Sequence, residues 1–255
     1  MKLSVVIITK NEEHNIRRCL ESVKWADEII LVDSQSTDKT VDIAGEYGAK
    51  IFSPEWKGYG FAKREGVNNA SGEWVLSIDA DEEVTPELAE EIKMILTADE
   101  IYDGYLINRH TNFMGKWINH CGWYPDYLLR LFRKGSGNFN DAVIHEKVEI
   151  KGKTRELKSK LLHYSYPTME AYLERFNQYT TIGAEAALAS GKKAGNFDIV
   201  FRPFISFIDH FLTHQGFQDG IEGFIISVMS SVAVMVKYVK LRHLQKKAKR
   251  LEKNV

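Results

Sequence analysis

The chain begins with an apolar run, Leu3 to Thr9, that gives way abruptly to Lys10-Asn11-Glu12-Glu13. A short run of this kind, β-branched and almost without polar breaks, reads as a strand buried on both faces. Asn11 is placed to cap a following helix, with Glu12 and Glu13 in its first turn and Ile16, Leu20 and Val23 along its apolar side. The alternation then repeats. Glu28 to Asp33 is a second apolar run closed by a carboxylate, and the turn Ser34 to Asp38 leads into a helix through Val41, Ala44 and Tyr47, stopped at Gly48. Lys50 to Ser53 is a short third strand, followed by a helix through Ala62, Val67 and Ala70 that ends at Gly72. A fourth strand, Val75 to Asp81, finishes in two carboxylates separated by Ala80. Alternation of strand and helix predicts right-handed crossovers and a parallel sheet covered by helices on both faces.

After Asp81 the rhythm changes. Thr85-Pro86 caps a helix through Leu88, Ile92 and Ile95, and Gly104 to Arg109 reads as a strand before a long loop from His110 to Tyr124. Leu128 to Arg133 and Val143 to Ile150, joined across Gly135-Ser136-Gly137, predict a hairpin, and Arg155 to Tyr164 predicts another strand. A helix starts at Thr168 and closes at Gly191. The fold class is therefore α/β, a mixed sheet with a parallel half, followed by a helical C-terminal extension. The predicted boundaries are 1–166 for the sheet domain, halved near residue 100, and 167–255 for the extension.

Charge adds little until the C-terminus. With 34 basic and 35 acidic residues in 255, the chain carries no overall field that would favour nucleic acid. Cys19 and Cys121 lie far apart without metal-binding spacing, which suits a reducing compartment, and nothing near Met1 resembles a signal peptide. Phe201 to Ile208 with Phe211 and Leu212 is too apolar for an ordinary surface. Gly223 to Val236 is free of charge but shorter than the ~20 residues of a spanning helix. Lys237, Lys240, Arg242, Lys246, Lys247, Lys249 and Arg250 follow it. This combination predicts attachment to an anionic membrane surface without crossing it. The alternative use of the segment is a helical hairpin packed on the sheet domain or between copies of the chain.

Polar groups gather at the predicted carboxyl ends of parallel strands, where ligands of open α/β sheets sit. They are Thr9, Asn11 and Glu12 after the first strand, Asp33 after the second, and Asp79 and Asp81 after the fourth. On a regular strand Asp79 and Asp81 would share a face, and two such carboxylates suit a hard divalent cation that also holds phosphate. The alternative is a strand that runs into a solvated acidic turn, Asp81-Glu82-Glu83. Neither a GxGxxG nor a GxxxxGK[ST] loop is present, so a diphosphate would need a metal and basic residues, for which Lys63 and Arg64 are the candidates.

Four segments, Val5 to Glu12, Val32 to Asp38, Ala70 to Trp74 and Asp79-Ala80-Asp81, resemble in order and spacing the family 2 glycosyltransferases of the GT-A fold. Trp123 to Asp126, Arg130 to Arg133, His145-Glu146 and Leu162 to Tyr166 are similar to the branch that contains lipopolysaccharide-core sugar transferases. The resemblance implies an inverting transferase that moves a sugar from a nucleotide-sugar, with a UDP-sugar the expected donor, to a lipid-linked saccharide. It also implies a Mg²⁺ or Mn²⁺ ion and work at the cytoplasmic face of the inner membrane. By the same resemblance, Thr9, Asn11, Glu12 and Asp33 would bind base and ribose; Lys63 and Arg64, on the helix that feeds the Asp79 strand, either face the phosphates or belong to a solvated helix face. Asp79 would hold ribose or metal and Asp81 would hold the metal, while His163, at a strand end, is either a third ligand or a structural histidine. Glu146 and Asp126 compete for the base, because this chain lacks a clear Glu-Asp pair and has Ser34 where many relatives carry a second acid. Arg130 and Arg133 are read either as phosphate contacts or as salt-bridge partners. A sugar-phosphate nucleotidyltransferase is the rival enzyme, disfavoured by the absence of a glycine-rich basic stretch after the first strand. The rival outside enzymes is a degenerate domain that scaffolds at a membrane.

Overall fold

A computed structural model describes residues 2–98, 101–140 and 147–253. The parallel half follows the expected alternation: β1 (Leu3–Thr9), α1 (Ile16–Val23), β2 (Glu28–Asp33), α2 (Thr40–Glu46), β3 (Lys50–Phe52), α3 (Tyr59–Asn69) and β4 (Trp74–Asp79). β1 lies between β2 and β4, parallel to both, with Thr9 level with Asp33 and Ile8 level with Asp79. Every residue of β2 is buried, and β1 is buried at all but one position, which explains why both are continuous apolar runs.

The remaining strands are antiparallel additions. They are β5 (Glu82–Val84), β6 (Gly104–Phe113), β7 (Lys116–Trp117), β8 (Tyr127–Arg133), β9 (Gly137–Phe139), β10 (Val148–Ile150) and β11 (Thr154–Tyr166), with α4 (Pro86–Thr97) between β5 and β6. Thr85 caps α4 as expected, its hydroxyl accepting from the Leu88 amide at 3.2 Å. The main sheet runs β3-β2-β1-β4-β8-β6-β11-β5, and β7 pairs with the end of β6.

Four expectations are corrected. Asn11 does not cap α1; it adopts a left-handed backbone (φ 54°), and the helix starts at Ile16. The strand before the paired acids stops at Asp79, so Asp81 sits in a turn and does not share a strand face with it. β8 does not form the predicted hairpin; it inserts between β4 and β6, and β9 pairs with β10. Finally, β6 continues through His110 to Phe113, where a loop was expected.

By contacts the chain forms two compact units. The first comprises 1–110 and 126–164, the second 111–125 and 165–255. The contact division thus assigns residues 111–125 to the C-terminal unit. Helix α3 packs closely enough on the sheet that a Cβ on Gly66 would stand 2.3 Å from a Val6 methyl.

The edge of the sheet opposite the polar rim is tied by one buried carboxylate. Glu28 accepts from the Ser71 amide (2.8 Å), the Ser71 hydroxyl (3.0 Å), the Lys50 ammonium (2.6 Å) and the Ser4 hydroxyl. The Ser4 hydroxyl in turn accepts from the Gly72 amide, at a place where any Cβ would collide with the Ser4 backbone. Burial opposes ionisation of Glu28, but Lys50 and the hydrogen bonds from Ser4 and Ser71 overcome it and hold the carboxyl down to about 2. A depressed native value stabilises the fold fully above the ordinary value of 4.5, and that stabilisation is lost as pH falls toward about 2. Glu28→Gln should therefore lower stability to urea by on the order of 2–3 kcal/mol at pH 7. The gap from wild type should shrink at pH 3; an equal gap at both pH values would show that the charge is not responsible.

The second unit contains α5 (Met169–Ala189), α6 (Asn196–Ile208), a π-helical turn at 209–213, a 3₁₀ turn at 216–219 and α7 (Gly220–Lys253). Thr168 caps α5 through the Ala171 amide, and Gly191 terminates it with a positive φ. Its core gathers Phe113, Ile118, Cys121, Tyr172 and Ile226. Buried Asp219 holds the 119–120 turn by accepting from the Asn119 and His120 amides at 3.2 and 2.8 Å. α7 is longer than the charge-free run read from the sequence, and the helix 216–250 passes the length and composition requirement for crossing a membrane. Only 22% of its apolar window is buried, so it is not an ordinary core helix.

Candidate active site

At the carboxyl end of β1 and β2 two loops are stitched together. The Asn11 amide donates to Ser36 Oγ and Asn11 Oδ1 accepts from the Thr37 amide, each at 2.8 Å. The Glu12 amide donates to Thr40 Oγ1 (2.8 Å) and the Glu13 amide to Asp38 (3.1 Å). Asn11 thus braces the loop with backbone and side chain, and Glu12 with its backbone. Asp33, nearly fully buried, accepts from the Ser36 amide at 3.0 Å. Thr9, level with it, buries a hydroxyl that has no hydrogen-bond partner among the described residues. An unsatisfied buried hydroxyl costs ~1–3 kcal/mol and suits a site that a polar ligand completes.

Asp79 ends β4 between two cations. Lys63 Nζ from α3 stands 3.0 Å from Oδ1, and Arg130 Nη2 from β8 stands 3.1 Å from Oδ2. Arg130 also donates to Glu82 Oε1 at 2.6 Å, and the Asp79 amide donates to Glu82 Oε2 at 2.9 Å. Arg109 from β6 continues the chain of charges, 3.6 Å from Glu82 and 2.7 Å from Asp126 Oδ2. Three carboxylates and three cations thus alternate across α3, β4, β5, β6 and β8. Burial pushes the Asp79 carboxyl up, but Lys63, Arg130 and Arg109 outweigh it and hold it far below the usual carboxylate range. Glu82, wholly buried, is raised by desolvation, against which Arg130 and Arg109 act.

Asp81, in the turn beyond β4, faces His163 of β11, with Oδ2 3.4 Å from Nε2. The Tyr164 amide donates to the Asp81 carbonyl at 2.9 Å and fixes the turn against that strand. Tyr164 is fixed in its turn by a 2.9 Å bond to Glu83 and by the Arg18 guanidinium 3.6 Å from its ring centroid. Asp126 is one-third exposed, and both of its contacts to Arg109 use Oδ2, which leaves Oδ1 uncommitted. Arg64 lies over the Phe61 ring at 5.8 Å. Glu146 lies outside the described residues.

The structure thus brings Lys63, Asp79, Asp81, Asp126 and His163 onto one rim with Thr9 and Asp33. Arg130 proves to be a salt-bridge partner of this network, and Arg133 a partner of exposed Glu73 at 3.3 Å. Glu82 and Arg109 were not singled out from the sequence, although Arg109 closes an apolar run and Glu82 adjoins the paired acids. A charge in such a setting is rarely buried without a partner.

Among the described residues no three His, Cys, Asp or Glu side chains form a metal-holding group. Asp81 and His163 offer two donors, while Asp79 is held by Lys63 and Arg130. Two protein ligands, with phosphate oxygens and water completing the shell, match the way small divalent cations bind beside phosphates, so the residues fit the ion.

A profile of the family described as Glycosyl transferase family 2 matches residues 4–120. An uncharacterised glycosyltransferase of Rickettsia typhi is 34% identical over 97% of this chain and 89% of its own length. The chain belongs to the family 2 glycosyltransferases. The lipopolysaccharide core biosynthesis glycosyltransferase LpsC of Rhizobium meliloti is 28% identical to this transferase over 94% of the chain and 92% of LpsC. The structure of S. aureus TarS 1–349 in complex with UDP-GlcNAc superposes with a TM-score of 0.50 at 16% identity, covering 97% of this chain and 92% of that one, and shows the shared fold. The family and the GT-A-type mixed sheet expected from the sequence are thereby shown.

Proposed function

We propose that this transferase moves a sugar from a UDP-sugar to a hydroxyl of a lipid-linked saccharide of the cell envelope, with inversion. The observation that carries the reading is the division of labour at the end of β4, where Asp79 organises Lys63 and Arg130 while Asp81 and His163 face each other across the turn. Thr9 and Asp33 receive the nucleoside, the former through its unpartnered hydroxyl. Asp81 and His163 hold a divalent cation, which when bound offsets the charge of the diphosphate leaving group. Lys63 and Arg130, kept in place by Asp79 and Glu82, add positive charge behind it. Asp126 Oδ1 takes the proton of the acceptor hydroxyl. Glu146 is the competing base. The similarity to LpsC supports an envelope glycan as the product.

The acceptor class rests on the second unit. Phe197, Phe201, Phe204, Ile205, Leu212, Phe217 and Ile221 are each between 51 and 64% exposed, far more contiguous apolar surface than a free helix face normally leaves to water. The stacked pairs Phe197–Phe201 and Phe207–Phe211, both 5.3 Å between centroids, give that surface a rigid aromatic character. With the basic residues of α7 it suits the head-group boundary of an anionic membrane on the side where nucleotide-sugars are made. The full chain should float with anionic vesicles, less so at high salt, and should release UDP from a UDP-sugar faster when an envelope glycolipid is supplied. Equal solubility with and without anionic vesicles would remove the membrane from the reading. Release of UDP that ignores the glycolipid would remove the lipid-linked acceptor.

A further inference from the structure

Between α5 and α7, within the second unit, lies an open pocket of about 250 Å³. Its walls are aromatic, with Trp123, Tyr166, Tyr172 and Phe176 prominent, and Ala233 and Val234 of α7 supply small apolar surface on the other side. The aromatic walls brace one another: Trp123 and Tyr166 are 5.5 Å apart between centroids, Tyr166 and Tyr172 5.0 Å, so the space is preformed. Its polar groups are the ring hydroxyls, Thr180, Ser230 and Lys237, of which Lys237 alone is charged. Thr180 is spent within the protein, donating to the Phe176 and Asn177 carbonyls at 2.9 and 3.0 Å and accepting from Lys240 at 2.9 Å. Lys240 is fully engaged by that contact, by Asn177 and by Thr181. Lys237, one turn earlier and lining the pocket, makes no ion pair with any described residue; its ammonium lies only against the Tyr238 ring, at 5.0 Å.

An apolar, preformed space with one uncompensated ammonium at its edge recognises a chain that ends in an anion. We propose that this pocket is the lipid subsite of the acceptor: it takes the hydrocarbon segment next to an anionic group of the lipid-linked saccharide, and Lys237 pairs with that group. The inference rests on the transferase reading above for the identity of the lipid. It goes beyond that reading by giving the acceptor a required phosphate or carboxylate and by separating its recognition from the donor rim. Charge complementarity at Lys237 favours this occupant, as does the helix it belongs to, whose apolar window is only 22% buried. The aromatic face suits a hydrocarbon because Trp and Tyr offer large rigid surfaces at low entropic cost.

The test uses the full chain and 11-bromoundecyl phosphate below its aggregation concentration, whose bromine quenches a tryptophan that it touches. Saturable quenching is expected in the wild type and not in Trp123→Phe. Lys237→Ala should weaken the apparent Kd about tenfold and abolish the preference over 11-bromoundecanol. Ala233→Phe, which fills the pocket, should prevent quenching. With extracted envelope glycolipid as acceptor, Lys237→Ala should raise KM for the glycolipid about tenfold and leave kcat and the donor KM unchanged. No quenching, or quenching indifferent to Lys237→Ala, would overturn the site. Quenching that depends on Lys237 with an unchanged glycolipid KM would mean that the pocket holds bulk membrane lipid, and would overturn its assignment to the acceptor. Because quenching needs no turnover, failure of transfer from every donor would strike the proposed function and not the pocket.

Discussion

Arg130→Ala should destabilise the protein by on the order of 3–5 kcal/mol. That is a fall in melting temperature of roughly 6–20 °C for a domain of this size. Arg130 is nearly fully buried and contacts both Asp79 and Glu82, the latter with no exposure at all. Removing the guanidinium leaves one wholly buried carboxylate, Glu82, and one partly buried, Asp79, with Lys63 and Arg109 as their remaining compensation. The cost comes mainly from the uncompensated charge, so Glu82→Gln in the Arg130→Ala background should recover part of it. Arg133→Ala is the control, since its partner Glu73 is exposed and such pairs contribute ~0–1 kcal/mol. A melting temperature for Arg130→Ala no lower than that of Arg133→Ala would show that the charge network is not structural.

Turnover should fall between 10² and 10⁴-fold, roughly the contribution of a positioned general base, when Asp126 is replaced by Asn. Asn keeps the shape and can still accept from Arg109, yet it cannot take a proton. The affinity for the donor should not change, because in the proposed mechanism Asp126 acts on the acceptor hydroxyl and its side chain is held by Arg109. Single-turnover transfer and donor titration in Asp126→Asn and Glu146→Gln separate the two carboxylates. If Glu146→Gln collapses and Asp126→Asn is nearly normal, the base is Glu146 and Asp126 serves to hold Arg109.

The parallel half was legible because strands buried on both faces are mostly apolar, as β1, β2 and β4 are between their polar ends, broken only by Ser4 and Ser77. Asp33 and Asp79 were legible for a related reason, since an abrupt carboxylate at the end of such a run marks the rim. What hydropathy missed is polar burial and pairing at a distance. β6 extends through His110 and Thr111, both buried, which read as loop because they are polar. The run that forms β8 reads as one arm of a hairpin because it is apolar and a glycine turn follows. Its true neighbours, β4 and β6, are remote in sequence, and pairing of that kind leaves no local signal. Asn11 has the chemistry of a helix cap, but its side chain finds the Thr37 amide instead, a competition that the local sequence does not decide. Glu82 looked like part of a solvated acidic turn and is in fact the pivot between Arg109 and Arg130.

We propose that Asp81 and His163 form the cation-dependent end of a nucleotide-sugar site. The most direct test is calorimetric titration of UDP-sugars into the wild type and Asp81→Ala, each with and without Mn²⁺. The wild type should bind a UDP-sugar at least tenfold more tightly with Mn²⁺ than without it, a difference of about 1.4 kcal/mol or more. Asp81→Ala, whose turn lies outside the core strands, should melt within a few degrees of wild type and bind equally weakly in both conditions. Binding of the UDP-sugar by Asp81→Ala with an unchanged Mn²⁺ dependence would contradict the account.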